Sequence, residues 1–153
     1  MNKSVAPSRW RRIIPVVFIT YSLAYLDRAN FGFGAAGGMA EDLHITAAIS
    51  SLLGSLFFLG YFFFQIPGVY YAAKKSARTL IFWSLIFWGI FAMATGLIGN
   101  IKILALIRFM LGVVESAVFP SMLLLLSRWF TRAERSRANT FLIFGNPVTV
   151  LWM

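Results

Sequence analysis

The sequence predicts an all-α membrane protein, and three observations carry that prediction. Hydrophobic residues make up 59% of the 153 residues and charged residues only 12%, against about 25% charged in a soluble domain. The apolar residues stand in long blocks, the pattern of membrane spans. Basic residues are confined to alternate gaps between the blocks, the asymmetry of the positive-inside rule.

Four full spans are expected at roughly 13–35, 49–72, 79–99 and 103–127, with a fifth starting near 139. Lys3, Arg9, Arg11 and Arg12 precede the first; Lys74, Lys75 and Arg78 follow the second; Arg128, Arg132, Arg135 and Arg137 follow the fourth. The other gaps hold Glu41, Asp42 and His44, then Lys102. The bias of eleven basic residues to one predicts a cytoplasmic N-terminal tail over 1–12 and a multi-pass bundle over 13–153. The net charge of +9 is therefore topological, and no nucleic-acid partner is expected. A cleaved leader fits the first block less well, because Asp27 and Arg28 follow its apolar core and three more spans come later.

Each span has its own features. The first carries Pro15 near its basic end, where a missing N–H does little harm. It closes on "NFGFGAAGG", small residues that would let a neighbouring helix approach closely. The G-x-G-x-x-G within that stretch lacks the βαβ setting of a nucleotide fingerprint. The second has Tyr61 and Gln65 one turn apart on one face, with Pro67 freeing a carbonyl nearby. The third is uncharged and apolar all round, which suits a lipid-facing helix. The fourth carries Arg108 and Glu115 seven residues apart, a Gly112/Ser116 close-packing pair, and Pro120, expected to bend it. From Asn139 only fifteen residues remain, and Asn146-Pro147 is helix-breaking there, so the chain reads as an N-terminal fragment.

Four ionisable residues within spans dominate the functional reading. On insertion scales each costs about 3 kcal/mol near the membrane centre, so Asp27, Arg28, Arg108 and Glu115 must meet one another or line water. Asp27 and Arg28 lie about 22–24 Å along the helix from Arg12, and Arg108 lies about 9 Å from Lys102 in the opposite direction. In a core about 30 Å thick these heights nearly coincide, so spans one and four are expected to face each other across one polar site. A fixed salt-bridge cluster would add little over apolar packing. Two guanidinium groups suit an organic anion bound through a carboxylate. Two carboxylates in a poorly hydrated site can load and release protons near neutral pH. The reading is a transporter coupling a small organic anion to protons. An arginine ladder for a voltage sensor is absent, as are a nucleophile–base pair and a metal cluster. No enzyme activity, no metal and no cofactor beyond the coupling proton are expected.

These same residues carry a resemblance. "YLDRAN", "GYFFFQIPG", "RFMLGVVESAVFP" and "RWFTRAERSRANTF" resemble the major facilitator superfamily, and within it the anion:cation symporters, specifically bacterial proton-coupled sugar-acid carriers. The closing "FLIFGNPVTVLWM" is similar to the L-galactonate or hexonate branch. The resemblance implies the N-terminal part of a six-helix bundle in the bacterial inner membrane, with the opposing C-terminal half of the carrier as its missing partner. It further implies proton carriage by Asp27 and Glu115, substrate contact by Arg28, Tyr25, Tyr61 and Asn146, and a charge network containing Arg108 and Gln65. The loop "GVYYAAKKSAR" departs from the family's G-x-x-x-D-R-x-G-x-R, with Ala73 at the aspartate and Ser76 at the glycine. A carrier of another organic anion, acting as uniporter or exchanger, and a non-transporting remnant or assembly segment remain open alternatives.

Overall fold

The computed structural model describes residues 7–152, except the side chains of 7, 8, 35 and 152. Lys3, in the expected tail, and the terminal Met153 lie outside the described residues. Seven α-helical segments run in order: α1 Pro7–Gly34, the single turn α2 Ala40–Asp42, α3 Ala47–Tyr71, α4 Ala77–Thr95, α5 Ile101–Ser116, α6 Val118–Trp129 and α7 Arg132–Trp152. No strand occurs among the described residues.

Polar residues in the gaps start the helices. Each satisfies an N–H that has no partner in the first helical turn. Thr46 Oγ1 accepts from Ile49 N at 3.3 Å, Ser76 Oγ from Thr79 N at 3.2 Å, and Asn100 Oδ1 from Lys102 N at 2.9 Å. At α7, Glu134 Oε2 accepts from both Thr131 N, at 3.1 Å, and Thr131 Oγ1, at 2.9 Å. That T-x-x-E box moves the helix start to Arg132, seven residues before the expected position. Ser76 adopts an extended backbone, φ −158° and ψ 116°, so α3 and α4 are separate helices despite the π-helical turn Ala72–Ser76 between them.

Two expectations about helix shape need correction and one holds. The fourth span bends at Ala117 (φ −97°, ψ −4°), where α5 gives way to α6 within one apolar segment, 101–129. The bend lies three residues before Pro120, whose missing N–H leaves the Ser116 carbonyl without its helical donor. Asn146-Pro147 does not break α7, which continues to Trp152. Packing holds it: Gly145 lies against Ser22 and the Phe18 carbonyl of α1, and Thr149 Oγ1 donates to Gly145 O at 2.7 Å and Ser22 O at 3.3 Å. Finally, among the described residues the glycines closing the first span meet no neighbouring helix backbone. Gly32, Gly37 and Gly38 have open space where a Cβ would stand, and Gly38, at φ +116°, kinks the π-helical turn Ala35–Met39. Its glycines serve a change of direction rather than a close approach.

The close approaches lie elsewhere. A Cβ on Gly60 or Gly112 would strike the facing backbone, Phe109 O and Phe57 O respectively, so α3 and α5 meet backbone to backbone. The Gly112/Ser116 seam is thus realised, with Ser116 buried beside it. Two apolar clusters fill the interior. Val17, Val118, Met122, Leu126, Phe130, Ala138 and Leu142 join α1, α6 and α7. Ala24, Phe57, Trp88, Ile107 and Leu111 join α1, α3, α4 and α5. Large hydrophobic side chains such as Phe62, Ile66 and Met93 are exposed, the distribution of a protein whose solvent is lipid. The segments 47–95 and 101–129 are long and apolar enough for a bilayer.

Candidate functional site

Glu115 is the anchor of the site. It is 2% exposed, on the last turn of α5, where the Gly112 seam brings α5 against α3. From α1, Arg28 reaches it: Nε donates to Oε2 at 3.4 Å, and Nη2 stands 3.1 Å from Oε1. The second is an electrostatic contact without hydrogen-bond geometry, and Oε1 has no other donor. Aromatic faces complete the seat, the guanidinium carbon lying 5.2 Å from the Tyr61 ring centre and 5.9 Å from that of Phe57. A guanidinium over an aromatic face is favoured by the ring quadrupole. The Arg28 side chain is still 37% exposed, so donors of its fork beyond those facing Glu115 are accessible.

Asp27 points elsewhere. Consecutive residues on a helix are about 100° apart, and Asp27 lines a separate cavity of about 150 Å³ with Asn30, Phe31, Thr95 and Arg108. Arg108, 5% exposed, places its guanidinium carbon 3.6 Å from the Phe31 ring centre. No ion pair joins Arg108 to Asp27 within 4.0 Å among the described residues. Asp27 Oδ2 and Arg108 Nε are both enclosed and unpartnered. Within the charged set the resolved neighbours are Arg28 with Glu115, in contact, and Asp27 with Arg108, lining one small cavity. Arg108 neighbours Asp27, not Arg28.

The other expected site residues are less engaged. Tyr25 is half-buried one turn before Arg28, and Gln65 half-buried one turn after Tyr61; among the described residues neither side chain makes a hydrogen bond to the charged set. Asn146 is on α7, with Oδ1 enclosed and unpartnered. The structure adds Phe31, Phe57, Asn30 and Thr95. Two of these were legible from spacing, since Phe31 stands four residues after Asp27 and Phe57 four before Tyr61, on the same helical faces. At the basic end, Arg128 Nη2 donates to the backbone carbonyl of Ala73 at 2.8 Å. The residue standing where the resembled motif has an aspartate thus meets an arginine through its main chain. Among the described residues no cluster of metal-ligating side chains occurs.

This arrangement of packed apolar helices around a few enclosed charges is matched by one family model, the Major Facilitator Superfamily, over residues 17–151. The chain belongs to the major facilitator superfamily. It is a membrane-integral, all-α chain of a transporter family. Curated relatives agree. A quinolone resistance transporter of Acinetobacter baumannii is 36% identical over 140 residues, covering 92% of this chain and 32% of the relative. A provisionally named tartrate transporter of Agrobacterium vitis is 33% identical over 140 residues, 92% of this chain and 31% of the relative. A provisionally named sulfoacetate transporter of Cupriavidus necator is 30% identical over 141 residues, 90% and 33%. The chain spans about a third of the length of these relatives.

Proposed function

We propose that this major facilitator chain forms part of a proton-coupled symporter for an organic anion, a sugar acid such as a hexonate or galactonate. The observation that carries the reading is the Arg28–Glu115 pair, in which a buried carboxylate holds a guanidinium that stays more than a third exposed. A substrate carboxylate would bind the free donors of Arg28. Protonation of Glu115 would release part of the fork to that substrate, which links proton and anion binding at one pair. Asp27, enclosed beside Arg108, would carry a second proton. Tyr25, Tyr61 and Asn146 would meet hydroxyls of the sugar acid, with Gln65 and Arg108 ordering the surrounding network. The names of the tartrate and sulfoacetate relatives support an organic anion as the substrate class. The proposed setting is a bacterial inner membrane with the N-terminus cytoplasmic, where the basic loops would lie. Opening to each side in turn would require a facing bundle.

Uptake of labelled hexonates into vesicles, for the protein expressed from its native reading frame, tests this reading. Accumulation should collapse with a protonophore, and Glu115→Gln should lose pH-driven accumulation while retaining exchange. Accumulation unchanged in Glu115→Gln would remove that residue from coupling. Protonophore-insensitive, non-accumulating uptake would instead identify a uniporter or exchanger of the same fold.

A further inference from the structure

Both arginines of the charged set sit over aromatic rings, and they differ in what else they reach. The Arg28 guanidinium carbon stands 5.2 Å and 5.9 Å from the ring centres of Tyr61 and Phe57, and Arg28 still pairs with Glu115. The Arg108 guanidinium carbon stands 3.6 Å from the centre of the Phe31 ring, and no ion pair from Arg108 occurs among the described residues.

A carboxyl partner is close at hand. Asp27 and Phe31 are four residues apart, on one face of α1, and both line the cavity of about 150 Å³ that Arg108 lines from α5. A guanidinium and a carboxylate sharing so small an enclosed space attract strongly, yet Asp27 Oδ2 and Arg108 Nε each lack a partner. Crowding does not keep them apart, since the cavity is several times the about 30 Å³ share of one water. The Thr95 hydroxyl on the α4 wall donates elsewhere, to Phe91 O at 3.0 Å, and the remaining walls bring no other ionisable group. The next charges along α1 and α5, Arg28 and Glu115, are engaged with each other. What holds Arg108 is the face of Phe31, because a desolvated cation in close contact with a ring feels the quadrupole most strongly.

We infer that Phe31 is a positioning residue, which seats the Arg108 guanidinium away from Asp27 and so keeps that carboxyl group free to load and release a proton. An enclosed carboxyl group without a cation carries the proton rather than the charge. The same group forked by Arg108 would hold its charge instead. The inference rests on the reading of Asp27 as a proton carrier and adds the residue that decides which partner Asp27 has.

The test applies dicyclohexylcarbodiimide, a reagent for protonated carboxyl groups in apolar surroundings, to vesicles holding the protein expressed from its native reading frame. Mass spectrometry locates the adduct. Asp27 should be labelled in the unaltered protein. Phe31→Leu, which stays apolar but loses the ring face, should slow that labelling at least about five-fold, and Phe31→Trp should keep it within about two-fold. Adding Arg108→Gln to Phe31→Leu should restore it, because the slowing acts through Arg108. A readout on the unaltered protein needs no variant: the Arg108 Nε–H resonance, assigned by its Overhauser contact with the Phe31 ring, should lie upfield of the other arginines. An unlabelled Asp27, labelling unchanged by Phe31→Leu, equal slowing by Phe31→Trp, slowing that survives Arg108→Gln, or no upfield resonance would each overturn the proposal. The coupling reading is judged separately: pH-driven accumulation kept in Asp27→Asn removes Asp27 from coupling, whatever the labelling shows.

Discussion

Replacing Arg28 by Met removes the cation from the Arg28–Glu115 pair and keeps most of the side-chain volume. What remains is a carboxylate 2% exposed, with no other donor to Oε1. Leaving a buried charge uncompensated costs about 3–5 kcal/mol, so Arg28→Met should destabilise the bundle by about 3 kcal/mol. The reverse change, Glu115→Gln, leaves a guanidinium that is 37% exposed and already rests on two aromatic rings. Water and those rings stabilise it, so the loss falls to the range of a partly exposed pair, about 1 kcal/mol. The double variant carries neither charge and should cost about 1 kcal/mol, far below the about 4 kcal/mol of two independent effects. Unfolding in mixed micelles, followed by the fluorescence of the five tryptophans, measures all three. Equal costs for the two single variants, or additivity in the double, would refute a charge balance set by Glu115 burial.

Three further substitutions test the packing and the helix start. Gly112→Val sets a side chain against the Phe57 carbonyl, which cannot rotate away, and should cost about 3 kcal/mol or more. Gly32→Ala, with open space around it in α1, should be neutral or stabilising by about 0.5–1 kcal/mol; thermal melts of both in micelles check the contrast. Thr131→Ala removes the hydroxyl that donates to Glu134 Oε2 and orients it under the Thr131 N–H, and should lower stability by about 0.5–1 kcal/mol, read as faster amide exchange at 131–135.

Much of the site was legible residue by residue. The cost of charge in hydrocarbon singles out Asp27, Arg28, Arg108 and Glu115 without any structure. Their grouping was not legible. Counting rise along the helices gave similar heights for Asp27, Arg28 and Arg108, but height says nothing about azimuth. The about 100° between neighbours sends Asp27 to Arg108's cavity and Arg28 to Glu115. The glycines mislead in the same way: "NFGFGAAGG" has the composition of a packing face, yet the backbone contacts fall on Gly60 and Gly112. Composition records which residues permit close approach, not which ones another helix reaches.

What the chain determines by itself is local. Apolar runs of span length, the loop basic residues, and caps made by Thr46, Ser76, Asn100 and Glu134 all follow from neighbours a few positions apart, because helix periodicity and capping are short-range effects. Tertiary structure alone decided that α7 runs through Pro147 and that Glu115 takes Arg28 as its partner. Those outcomes depend on the rotation and crossing of helices distant in sequence. That rotation is set where side chains and bare backbone interlock across the α3–α5 and α1–α7 seams.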